Sequence, residues 1–359
     1  LLNAWHGKSK VQYQKWLSMM KNKKNNIYPP LSEQNFLYNK GDYLKYYEKK
    51  GIPIAPTFLI KKKRDASDII KKVRENGWSS FIVKPDYADD GIPRSEMREK
   101  SNKRAPVRNA NEINRLREVC KLGREILDVT GKAVKAGITG EELDRICHKA
   151  TIERGGYPSP LNYHNFPKSV CVSPNEVICH GIPNCRPLKN GDIVSIDCGV
   201  LKNGFYGDSA RTYPVGKISK EVKNLLDVTK KSLSLGIKSA KSGGRLSDIG
   251  YAIQTYVEKN GFSIVRDLVG HGIGENLHEE PQIPNYGIKG EGVVLKEGMC
   301  FAIEPMVNMG KNEILTKQDG WTIYTKDMKP SAHFEHTVVV RKDGGEILST
   351  RFINEKGLT

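Results

Sequence analysis

The sequence predicts an α+β fold made of two related halves, on three observations. Helical periodicity runs through consecutive segments from about residue 109, short apolar runs of strand character follow, and a ten-residue pattern recurs 107 positions downstream. LKNGDIVSID, ending at Asp197, returns as LKEGMCFAIE, ending at Glu304. Each copy is a turn and a strand that closes on a carboxylate, so two helix-helix-hairpin halves are expected around a central antiparallel sheet.

Taken in order, residues 1–104 read as a basic N-terminal extension and linker, expected to be partly disordered. Prolines break it at Pro29, Pro30, Pro53, Pro56 and Pro85, and helical spacing appears only near residues 43–50 and 68–73. The stretch 85–106 has the breakers and charges of a linker, which sets the domain boundary and leaves 105–359 as the second domain. The charge divides at the same place. Residues 1–104 hold 23 Lys and Arg against 11 Asp and Glu, whereas 105–359 hold 35 against 30. A basic block suits a polyanion such as RNA or a ribosome, since phosphate contacts release counterions; a merely well-solvated segment explains it equally well.

From Asn109, apolar residues at Ile113, Leu116, Cys120, Leu127 and Val134 describe one amphipathic helix ending near Gly137. Thr139 with Glu142 is a capping-box signature, opening a second helix through Leu143, Ile146, Cys147 and Ala150 that stops at Gly155 and Gly156. Strands are expected at 193–197, 204–211, 300–304, 321–324 and 334–340. The helices at 220–241 and 243–261 repeat the first two, the latter lying 106 residues after 137–155.

Several classes are excluded or disfavoured. No apolar run approaches the roughly 18 residues of a membrane span. All seven cysteines fall between Cys120 and Cys300 with no C-x-x-C pair, which suits a reduced compartment. The opening LLNAWHGKSK lacks the continuous apolar core of a secretory signal, so a cytoplasmic location is expected.

Two halves about a pseudo-two-fold axis would bring equivalent strand ends together, setting Asp197 against Glu304. Asp208 lies across the expected hairpin from Asp197, Glu335 stands in Phe-Glu-His-Thr, and His271 in Gly-His-Gly-Ile-Gly. Singly, each has an ordinary explanation as a turn acid, a solvated strand end or a tight loop. Together, four carboxylates and one imidazole form an oxygen-rich ligand set able to hold two divalent ions.

These residues also carry a resemblance. Cys179-His180-Gly181-Ile182-Pro183, Asp197, Asp208, Gly270-His271-Gly272-Ile273-Gly274, His278, Phe301-Ala-Ile-Glu304-Pro305-Met306 and Phe334-Glu335-His336-Thr337 together resemble the methionine aminopeptidases, with the compact spacing of type 1. The resemblance covers about residues 105–359 and implies the pita-bread fold. It also implies co-translational hydrolysis of the first peptide bond, removing the initiator methionine from nascent polypeptides whose second residue is small.

By the same resemblance, Asp197 would serve one ion, His271 and Glu304 the other, with Asp208 and Glu335 bridging. Two divalent ions are implied, from among Co, Mn, Fe and Zn. Glu304 would also shuttle the proton, and His180 and His278 would hydrogen-bond the scissile amide. Tyr163, Phe166, Cys171 and Trp321 would line the methionine pocket, where aromatics and a thiol suit an unbranched thioether. The expected partners are nascent chains and, through the basic extension, the ribosome, with no membrane, no sequence-specific nucleic acid and a monomeric state.

This chain departs from some relatives in two places. Some relatives have an N-terminal zinc-binding module, whereas residues 1–104 have no cysteine, which weighs against ribosome docking by such a module, and Leu277 stands where some relatives have Phe. A proline-directed peptidase with the same metal core, and a non-catalytic ribosome or RNA binder, are the competing expectations.

Overall fold

The structure, a computed structural model, describes residues 105–350. The basic extension with its two expected short helices, most of the linker and the last nine residues lie outside the described residues.

Helix α1 (Ala110–Lys132) starts where the chain can satisfy its own first N–H groups. The Asn109 side chain accepts from the N–H groups of Asn111 and Glu112, and the Glu112 carboxylate accepts from the Asn109 N–H at 2.8 Å. Its buried stripe includes the expected Ile113, Leu116, Cys120 and Leu127. The helix stops at Lys132, earlier than the periodicity suggests: the Ala133 and Val134 N–H groups turn to the Thr130 and Gly131 carbonyls, and beyond them Gly137, at φ +89°, turns its N–H to the Leu188 carbonyl. Helix α2 (Gly140–Glu153) opens at the expected Thr139 and Glu142 capping box.

The second half repeats the main contacts of the first. Helices α3 (Lys220–Ser239) and α4 (Leu246–Lys259) follow the same course, and α2 and α4 each have 14 residues. The Gly137 N–H bonds the Leu188 carbonyl at 2.8 Å, and the Gly243 N–H bonds that of Leu295 at 2.9 Å. Antiparallel bridges join Thr139 to Pro187 and Arg245 to Val294. In the first half, strand Ile193–Asp197 lies between Cys171–Pro174 and Ala210–Pro214; in the second, Cys300–Ile303 lies between Gly270–Gly272 and His336–Val340, all pairs antiparallel. This is the pita-bread architecture.

Each helix pair covers the back of its own sheet. Leu116, Ile126 and Leu143 pack with Val194 and Ile196, while Leu225, Leu233, Ile249 and Ile253 pack with Phe301 and Ile303. Each such buried aliphatic side chain contributes about 1.5–3 kcal/mol. With the outer faces so occupied, the strand ends at Asp197 and Glu304 are left to meet on the inner side.

Two expected strands are interrupted, and both interruptions carry acids. The run 204–211 divides into Phe205–Gly207 and Ala210–Pro214, with Asp208 in the gap. The run 334–340 begins only at His336, leaving Glu335 in the link after strand Ser331–His333. The cause is a seam between the halves. The Thr337 hydroxyl accepts from the Asp208 N–H at 3.1 Å and donates to the Asp208 carbonyl at 2.8 Å, and the Glu335 N–H donates to the Ala210 carbonyl at 2.9 Å. The Asp208 backbone groups are thus taken by a side-chain hydroxyl of the other half, and the Glu335 N–H by the Ala210 carbonyl, rather than by continued ladders.

Candidate metal centre

The five residues expected as ligands converge at this seam. Ligand atoms of Asp208, His271 and Glu335 all lie within 4.8 Å of one another. His271 Nε2 lies 3.5 Å from Glu304 Oε1. The carboxyl groups of Asp197 and Asp208 touch, and Glu335 faces Asp208, Glu304 and Asp197. Glu335 and His271 are only 3% and 7% exposed.

Electrostatics shows what this arrangement requires. Burial raises all four carboxyls, Asp208, Glu304 and Glu335 well above their ordinary values. Repulsion adds to burial: Asp197 acts on Asp208, Glu304 and Glu335, and Asp208 acts on Glu335. Glu335 Oε1 is buried with no hydrogen-bond partner. Several buried carboxyls in mutual contact are tolerable only if protonated or if cations sit among them.

The imidazoles match the second alternative. Burial and the neighbouring His278 hold His271 down to about 3, so it is neutral at physiological pH. Its Nδ1 is 2.9 Å from the Gly272 carbonyl, which cannot donate, so the ring proton is on Nδ1 and the Nε2 lone pair faces the carboxyls. Hard carboxylate oxygens with a neutral imidazole suit divalent cations. The residues present therefore fit the expected metal.

The outer residues are gathered around this centre. His278 stacks beside His271 with ring centroids 4.2 Å apart, and its Nδ1 lies 2.6 Å from the Tyr163 hydroxyl. His180 stands edge-on to Trp321 at 6.1 Å, and Phe166 meets Trp321 edge-on at 5.2 Å. Cys171 is the strand partner of Asp197 and is buried. Burial, with His333 acting on His180 and with His180 and His164 acting on His278, holds both imidazoles to about 4. His180 sits at φ +53° and His164 at +44°, left-handed conformations that cost a non-glycine residue about 1–2 kcal/mol and cluster at functional sites.

Two contacts were not anticipated from sequence. His333 Nε2 lies 3.6 Å from Glu304 Oε2, on the side away from His271. The signal was the spacing His333-x-Glu335, which puts both side chains on one face of an extended chain. Arg108 binds Glu279, the neighbour of His278, at 2.6 and 2.7 Å; nothing local marks that pairing.

A buried carboxyl and imidazole cluster at the seam of a duplicated α+β fold defines a metallohydrolase. The profile of metallopeptidase family M24 matches residues 114–342. Methionine aminopeptidase 1 of Saccharomyces cerevisiae is 46% identical over 271 residues, covering 75% of this chain and 70% of the yeast protein. The methionine aminopeptidase of Clostridium perfringens is 49% identical over 243 residues, 68% of this chain and 98% of the bacterial one. Among solved structures, methionine aminopeptidase from Rickettsia prowazekii superposes with a TM-score of 0.68 at 46% identity, covering 69% of this chain and all of that one. The chain belongs to metallopeptidase family M24, among its methionine aminopeptidases. It is a hydrolase, a metalloexopeptidase. Prolidase from Pyrococcus furiosus, with a TM-score of 0.56 at 19% identity, shares the fold alone.

Proposed function

We propose that this enzyme removes the initiator methionine from nascent polypeptides whose second residue is small, using a pair of divalent ions. The observation that supports this best is the convergence of Asp197, Asp208, His271, Glu304 and Glu335 from both halves onto one buried point. Asp197 would hold one ion, His271 and Glu304 the other, and Asp208 and Glu335 both. When bound, the ions supply Lewis acidity to the scissile carbonyl and acidify water at neutral pH. Cobalt, manganese, iron and zinc all suit these donors.

The chain's own groups do the rest. Glu304 takes up the proton released by the attacking water and passes it to the departing amine. His180 and His278, held neutral, act as hydrogen-bond donors to the scissile amide rather than as charges. Tyr163 donating into Nδ1 of His278 leaves that ring's proton on Nε2, the tautomer needed for donation. Phe166, Trp321, Tyr163 and Cys171 form the wall against which the methionine side chain packs, removing its thioether from water.

The basic extension would draw the enzyme towards the ribosome, where its substrates emerge, and the chain acts as a monomer in the cytoplasm. Among the described residues, no helix is long and apolar enough to cross a membrane. The proposal is tested by comparing hydrolysis of Met-Ala-Ser, Met-Leu-Ser and Ala-Pro-Ser. Preference for the first supports it; preference for the proline peptide replaces it with the proline-directed activity.

A further inference from the structure

One imidazole in the centre has no part in the mechanism above. His333 ends strand Ser331–His333, is 1% exposed, and has no hydrogen-bond partner at either ring nitrogen. Its main chain is fixed, because the Thr212 hydroxyl lies 2.9 Å from both its N–H and its carbonyl and is itself 2.8 Å from the Ser195 hydroxyl. Strand pairing sets His333 opposite Met306, two residues after Glu304. The ring therefore has a fixed base, with Glu304 Oε2 3.6 Å from its Nε2 and the Asp197 carboxyl also acting on it.

Glu304 is thus held between two imidazoles, Oε1 beside His271 and Oε2 beside His333. The two rings are not equivalent. His271 spends its ring proton on the Gly272 carbonyl and presents a bare Nε2. His333 has no such acceptor, so of the two it is the one free to place its proton on Nε2 and point it at Glu304. The bond requires Nε2 and Oε2, 3.6 Å apart, to approach to about 3 Å. An imidazole left without that bond would be a buried polar group with nothing to offset its desolvation.

We propose that His333 is a positioning residue for Glu304: its Nε2–H donates to Oε2, fixing the carboxylate so that Oε1 is the oxygen presented beside His271. The inference rests on Glu304 being the ligand and proton carrier described above. It makes His333 the part of the second half that sets the angle of the carboxylate, while strand Cys300–Ile303 sets its position.

The test uses the full-length, metal-loaded enzyme and three variants. His333→Gln carries its amide nitrogen near the place of imidazole Nε2, His333→Asn carries it near Nδ1, and His333→Leu carries none. Turnover of Met-Ala-Ser, bound metal per chain and the visible spectrum of the cobalt form are measured for each. His333→Gln is expected to keep kcat within about three-fold of the parent, whereas Asn and Leu lose about ten-fold or more, the scale of a hydrogen bond to a charged group. KM and the cobalt bands stay in place in all three.

An unimpaired Leu variant, or a Gln variant as slow as Leu, overturns the inference. So does a displaced cobalt band in every variant, which would make His333 a ligand itself. If Leu and Asn fail to fold, the Gln variant decides alone, by parent-like kcat with unmoved bands or by loss of either. Parent enzyme that still works after exhaustive chelation would discard the metal reading instead, so the two failures are distinguishable.

Discussion

The Tyr163 hydroxyl lies 2.6 Å from Nδ1 of His278, and the two rings sit 5.2 Å apart. A residue expected from sequence to line the methionine pocket thus also touches an imidazole proposed to bind the scissile amide. Tyr163→Phe keeps the ring and removes only the hydroxyl. It is expected to lower kcat about 2- to 10-fold, the range of one neutral hydrogen bond, with KM for Met-Ala-Ser nearly unchanged. Steady-state kinetics checks it; a raised KM at constant kcat would confine Tyr163 to the pocket.

What could be read in the sequence was what is local or repeated. The Thr139 and Glu142 cap is a contact across three residues, and the duplicated turn before Asp197 and Glu304 keeps its pattern because both copies make the same bend. The repeat and the motifs gathered the ligand set, and the resemblance supplied the share of each residue in it. Other features depend on contacts no local pattern contains. The break at Asp208 is imposed by Thr337, 129 residues away, and the partner of Glu279 is Arg108, 171 residues away. His333 could be placed on the face of Glu335 by spacing, but its approach to Glu304 follows from the pairing of His333 with Met306.

Trp321 contacts Phe166 and His180 edge-on. Trp321→Ala is therefore expected to act mainly on binding, raising KM for Met-Ala-Ser about ten-fold while kcat changes less, as loss of an aromatic wall implies. A fall confined to kcat would instead tie Trp321 to the placement of His180.

The Arg108 side chain is 7% exposed and reaches both oxygens of Glu279, whose side chain is 8% exposed; Glu279 also accepts from the Asn276 N–H at 3.0 Å. The pair fastens the loop bearing His278 to the start of α1. Arg108→Met leaves a buried carboxylate unpaired and is expected to cost about 3–5 kcal/mol, whereas adding Glu279→Leu recovers much of that loss. Urea denaturation of the two variants checks this. A single-variant loss below about 1 kcal/mol would show the pair to be dispensable.

Stability should depend on pH in opposite ways with and without metal. Burial and mutual repulsion raise Asp197, Asp208, Glu304 and Glu335 above the ordinary carboxyl values of 3.8 and 4.5, so above those values the folded, metal-free chain keeps carboxyl protons that the unfolded chain has released. Its stability therefore falls as pH rises through those raised values. Below pH 6.5 His180, His271 and His278, held to about 3–4, act in the opposite direction, because the unfolded chain gains imidazole protons that the folded chain does not, so the carboxyls act unopposed by these rings only above that pH. Between pH 6.5 and 8, the melting temperature of chelated protein should drop while the increment from added divalent metal grows. A metal-free curve that rises over that interval would contradict the electrostatic description of the centre.

The most direct measurement is a titration of metal back into exhaustively chelated enzyme, following Met-Ala-Ser hydrolysis and bound metal together. No turnover is expected at zero metal, recovery should be complete by two ions per chain, and Asp208→Asn should abolish both tight binding and recovery. Full turnover by the chelated protein, or unaltered binding in Asp208→Asn, would contradict the claim that these five residues hold the ions on which hydrolysis depends.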